Sequence, residues 1–152
     1  MKNINFKLIL IHLLGAILFI WAFGQLFWLY DIELITALSK EGKESVRDFG
    51  PERMAYVLLA KDIVPFIGLL LSFSISLFLT IKRKKGVINS ILVFVIALAL
   101  IIVELLDFDF INHIIMLPGK ILFDSVLWTS ITNAAILILV AVWVHFSKLT
   151  NK

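Results

Sequence analysis

Apolar residues run in long blocks along this chain, separated by short clusters of charge. The first block extends from about Leu8 to Tyr30, with His12 and Gln25 as its strongly polar side chains. Others run from about Ile63 to Ile81, Val87 to Leu106 and Ile121 to Phe146. Each approaches or exceeds the roughly 20 residues that a helix needs to cross hydrocarbon. The blocks are apolar all round and lack the alternation of membrane-spanning strands, so helices are expected. The pattern predicts an all-α polytopic membrane protein. A bundle of four transmembrane helices would form a single membrane domain over residues 1–152. The first block is longer than a signal-peptide core and is followed by Trp28, Leu29, Tyr30 and Asp31 rather than a small-x-small site, so it is expected to be retained.

The connections add detail. Residues 31–62 form a long outer loop. Within it, Ile32, Leu34, Ile35 and Leu38 share roughly one helical face and predict an interfacial helix, whereas Ser39 to Arg47 is charged and expected in solvent. Gly50-Pro51 breaks the chain, and Pro51 suits the first turn of a new helical segment ending near Lys61-Asp62. A mid-helix proline costs about 3 kcal/mol. Pro65 is therefore expected in the first turn of the second span, with Asp62 as its N-cap, in preference to one long helix kinked near Lys61. The second outer loop, Asp107 to Lys120, carries Asn112, His113 and Pro118-Gly119.

Composition agrees with the pattern. Hydrophobic residues make up 61% of the chain, which excludes a water-soluble enzyme and a disordered chain. With no cysteine, disulfides, thiolate nucleophiles and Cys-ligated metal centres are excluded as well. Charge sets the expected topology. Lys2, Lys7, the run Lys82 to Lys85, Lys148 and Lys152 give +8 at one end with no acid, while all eleven acids fall at the other with six basic residues. By the positive-inside rule both termini are cytoplasmic, in the plasma membrane. The isoelectric point near 9.3 averages a basic inner rim and an acidic outer rim. The Lys82 to Lys85 run then faces anionic lipid headgroups, and no nucleic-acid partner is expected. Small size and an Ile/Lys/Asn-rich composition point to a bacterial source.

Several groups could carry chemistry. Gly68, Ser72, Ser76 and Thr80 recur every four residues and form a stripe of small side chains, which lets helices approach closely. In the fourth span, Ser125, Thr129 and Asn133 lie on one face expected to meet that stripe. Asn133 sits deep, where hydrocarbon offers no hydrogen-bond partner. The seam reads as packing, or as a path for conduction. Asp62, Glu104, Asp107, Asp109 and Asp124 converge on the outer end, with Lys61 and Lys120 as partners for some. Carboxylates held close acquire raised pKa values, as acid–base work requires, so Asp107, Asp109 and Asp124 are the candidate catalytic groups. Trp21, Gln25 and Trp28 share a face of the first span and could line a groove for a lipid or small molecule. Trp28 and Tyr30, with Trp143 opposite, suit interfacial belts. His12 and His145 lie at similar depth near the basic end. They could ligate a haem or metal, but read better as packed or interfacial side chains, and no metal or cofactor is expected.

The short chain, four spans and outer-face aspartates resemble lipoprotein signal peptidases, through Leu106-Asp107-Phe108-Asp109-Phe110 and Phe123-Asp124-Ser125. That resemblance implies an intramembrane enzyme using the outer aspartates. The chain departs from the family pattern, because no Gly-Asn-x-x-Asp-Arg precedes the first aspartate and the first outer loop lacks Asn-x-Gly. The function expected first is non-enzymatic. The protein would act by helix association or passage, as a homo-oligomer, a subunit beside other membrane proteins, or an oligomeric channel or transporter. A hydrophobe-binding role through Trp21, Gln25 and Trp28 is the further alternative.

Overall fold

In the computed structural model, residues 4–41, 49–107 and 109–147 are described, and all regular structure among them is α-helical. The elements are α1 (Phe6–Phe27), α2 (Ile32–Glu41), α3 (Pro51–Lys82), α4 (Ile88–Ile102), α5 (Asp109–Leu122) and α6 (Val126–Phe146). Helices α1, α3 and α6 are long and apolar enough to cross a membrane, which suggests insertion into a bilayer. Their outward faces fit that solvent: Leu139 and Trp143 are each 70% exposed, an arrangement suited to lipid contact.

Helix α1 is the hub and packs against α3, α4 and α6. Its buried face joins that of its neighbours in a core of Ile9, Ala16, Ile20, Leu69, Val93 and Ala97. Lipid tails are as apolar as these side chains, so burial alone drives little association. Close van der Waals contact and buried polar pairs must hold such helices together. Gly68 supplies the closest approach. A Cβ there would lie 2.5 Å from the Phe19 carbonyl oxygen, so α3 meets the α1 backbone itself. At one end of the bundle the Asn5 amide donates to Asn89 Oδ1 at 2.8 Å, joining the starts of α1 and α4. The end of α6 returns there too, since His145 meets His12. The opposite end holds the acidic turns.

Four expectations are corrected. Asp62 does not start a helix, because α3 runs unbroken from Pro51 through Pro65 to Lys82. Its 32 residues span about 48 Å, well beyond a hydrocarbon core of about 30 Å. A proline within a membrane helix is tolerated where neighbouring helices and local adjustments satisfy the freed backbone, and α3 packs along α1. The stretch expected as the second outer loop is largely helix α5. The fourth block is divided: the chain turns at residues 123–125, and α6 begins at Val126 with Ser125 as N-cap. The third block yields 15 helical residues rather than the whole of Val87 to Leu106, about 22 Å in length.

The helix expected from the apolar face of this stretch is present as α2, and Leu34 and Ile35 are buried within the protein. Asp31 fixes its start. One carboxylate oxygen accepts from the Leu34 amide at 3.1 Å, and the same oxygen accepts from Arg53 Nη2 of α3 at 2.7 Å. Arg53 Nε also donates to the other Asp31 oxygen, Nη2 donates to Glu33 at 2.9 Å, and the guanidinium lies 4.7 Å from the Phe49 ring centroid. The Arg53 guanidinium holds the Asp31 carboxyl below the usual carboxylate range. Most of the charged stretch Ser39 to Arg47 lies outside the described residues, as do Lys2, Lys148 and Lys152.

Candidate functional site

The sequence stripe on α3 is satisfied within the chain. Ser76 Oγ and Thr80 Oγ1 each lie 2.9 Å from Ser90 Oγ of α4, and all three residues are buried. Ser72 turns elsewhere, to His145 Nε2 at 3.0 Å. The facing Nδ1 atoms of His145 and His12 are 2.6 Å apart, so one ring donates and the other accepts. Together Ser72, His145 and His12 tie α3, α6 and α1 into one buried polar joint. Gly15 makes room for it, since a Cβ there would lie 2.6 Å from His145 Nε2. Sequence reasoning placed the two histidines at similar depth but did not pair them. The available signal was a histidine near each end of the chain at the same basic rim, with a glycine one turn from the first.

The polar face of α6 does not meet the α3 stripe as expected. Asn133 turns to α5 instead. Its Oδ1 accepts from the Gly119 amide at 2.8 Å and its Nδ2 donates to the Met116 carbonyl at 3.3 Å. Pro118 lies within α5, and the Asn133 amide bonds the backbone on either side of it. Gly119 permits the contact: a Cβ would lie 2.5 Å from the Thr129 carbonyl oxygen. Thr129 Oγ1 donates to the Phe123 carbonyl at 3.1 Å, closing the α5–α6 turn, and Ser125 is exposed in that turn.

At the acidic end the helices part around a cleft of about 860 Å³. Trp21 and Gln25 of α1 and Trp28 just after it all line it, as the groove reading requires. Phe27, Pro65 and Phe66 extend the apolar wall, and Asn112, His113 and Met116 of α5 form the far side. Trp21 is held in place because its Nε1–H donates to the Leu106 carbonyl at 3.1 Å. Gln25 is 5% exposed, and its Oε1 has no hydrogen-bond partner among the described residues. A Cβ on Gly24, which also lines the cleft, would meet no heavy atom within 4 Å.

The carboxylate cluster is smaller than expected. Asp62, Glu104 and Asp107 line the cleft. Asp107 is 3.5 Å from Lys61 Nζ and accepts from Asn112 Nδ2 at 2.8 Å. Asp124 is exposed in the α5–α6 turn and does not line the cleft, and the Asp109 side chain lies outside the described residues. The structure therefore does not assemble Asp107 and Asp124 as a carboxylate pair. Among the described residues no group of three or more His, Asp or Glu side chains could hold a metal ion. Lys120 is exposed. No protein-family model, curated protein or solved structure matches the chain.

Proposed function

We propose that this protein binds an amphipathic small molecule or lipid in the cleft at its acidic end. The observation that carries this reading is Gln25 Oε1, a buried acceptor without a partner on a residue that lines an aromatic cleft. A buried polar atom without a partner costs about 1–3 kcal/mol, a cost that a ligand donor would remove. The volume falls in the usual range for small-molecule sites, about 300–1,000 Å³, and the lining combines apolar rings with a few polar groups as such sites do. In this reading α1, α3, α4 and α6 all cross the plasma membrane, α4 being the short member. Both termini face the cytoplasm and the cleft opens toward the outer leaflet, where a lipid or hydrophobic solute arrives.

The association or passage expected from the stripe takes second place, because its hydroxyls are partnered inside one chain. Catalysis by outer aspartates also recedes, since Asp107 is engaged by Lys61 and Asn112 and Asp124 stands apart.

Gly24→Leu tests the reading. The added side chain enters open space, so the variant should fold as the parent does while filling the cleft. Titration of hydrophobic solutes against the purified protein in maltoside micelles, read by tryptophan fluorescence, should show saturable binding weakened at least tenfold by the substitution. Equal binding by parent and variant would exclude the cleft as the site.

A further inference from the structure

We infer that the ligand of this cleft is an organic cation, an amphiphile with an ammonium head and an apolar body; the inference rests on the ligand-binding reading above. The charges come first. Asp62, Glu104 and Asp107 face one lysine, Lys61, which is already placed against Asp107. With His113 neutral the lining is formally −2, and among the described residues no ion pair engages Asp62 or Glu104. A cation entering the cleft replaces a missing partner, whereas an anion adds to the repulsion.

The hydrogen-bond balance points the same way. Two donors of the lining are engaged, Trp21 Nε1–H on the Leu106 carbonyl and Asn112 Nδ2 on Asp107. An acceptor is left over. Gln25 Oε1 has no donor, and it is buried in the wall rather than displayed at the rim. A ligand N–H would supply the donor that Gln25 Oε1 lacks. The walls complete the match, because the faces of Trp21, Trp28, Phe27 and Phe66 carry the negative quadrupole that attracts ammonium groups.

The test is a matched decyl series on the full chain in maltoside micelles, below the micelle concentration of each probe: decylammonium, decyltrimethylammonium, decanol and decyl sulfate. The binding signal is the difference between the protein and its Gly24→Leu variant, which removes partition into the micelle. Decylammonium is expected to bind at least tenfold more tightly than decanol or decyl sulfate. The double variant Asp62→Asn with Glu104→Gln, both exposed positions, should erase that preference and leave decanol unchanged. Gln25→Leu should narrow the gap between the primary and the quaternary ammonium, since only the former can donate to Oε1. Equal affinity for all four probes, or a preference for the sulfate, would overturn the cationic assignment while the cleft remains a binding site. Binding of none of them would overturn both. A second arm identifies the source: nanodiscs containing an amine-headed phospholipid either displace decylammonium, assigning a lipid, or leave it bound, assigning a free hydrophobic amine.

Discussion

At the scale of single residues, polar groups decide where these helices meet. Asn133 shows how far that was legible. An amide deep in an apolar block must find a partner, and it does, but the partner is the backbone of α5 rather than the α3 stripe. The identity of that partner was hidden because Pro118-Gly119 reads as a loop. The same two residues in a helix expose the backbone groups that an amide can serve. Asn133→Leu leaves the buried Gly119 N–H without this acceptor and should destabilise the fold by about 1–3 kcal/mol, measured as loss of the folded fraction in detergent on urea or heat titration. Glu104 illustrates the opposite case. It has φ 55, and the Leu105 amide reaches back to the Leu100 carbonyl at 3.0 Å, the hydrogen-bond pattern that glycine usually closes after a helix. A left-handed conformation costs a non-glycine residue about 1 kcal/mol or more. Glu104→Gly should therefore raise stability by roughly 1 kcal/mol while weakening ammonium binding. Glu104→Gln should weaken binding without the gain, and thermal melting alongside decylammonium titration separates the two effects.

At the scale of elements, periodicity identified apolar helices well and their ends poorly. The blocks marked where α1, α3, α4 and α6 would form, but α3 extends through Asp62 and Pro65. Propensity argued for a break there; packing of α3 on α1, with Gly68 against Phe19, overrides it. The short α5 was missed for a related reason, since its helix carries proline and glycine near its end and is completed by a side chain from α6. Helix α2 was legible from its apolar face, though not its tether. That tether carries a pH dependence with a defined sign. The Asp31 carboxyl is held below its ordinary value by Arg53, so the folded state binds the proton less readily than the unfolded chain. Its contribution is fully present at neutral pH and is lost as pH falls below about 4, through the depressed pKa. Hydrogen exchange at the Leu34 amide should accelerate in that acidic window beyond the intrinsic rate change. In Asp31→Asn the amide should be less protected at neutral pH and show a smaller further loss in acid.

At the scale of the whole molecule, the separation of charge was the most informative feature of the sequence, and the fold gives it a second meaning. Acids gathered at one end were legible as topology. Their arrangement around an aromatic cleft was not, because it needs α1, α3, α4 and α5 to part at the same level. Histidines remote in sequence and joined at the other end were equally out of reach, since no local pattern specifies a contact between α1 and α6. The proposed orientation ties the two ends together: if the basic end is cytoplasmic, the cleft must open on the outer side. Because the chain has no cysteine, that claim can be tested with single introduced thiols on an unlabelled background. Lys120→Cys at the acidic end and Lys84→Cys in the basic turn are both at exposed positions. A membrane-impermeant maleimide applied to intact bacterial host cells should label the first within minutes and the second only after lysis. Labelling of Lys84→Cys from outside would invert the molecule, turn the cleft to the cytoplasm, and require that its ligand be supplied from within the cell. Labelling of both would deny α3 its crossing, and with it the premise that the walls of the cleft stand in a bilayer.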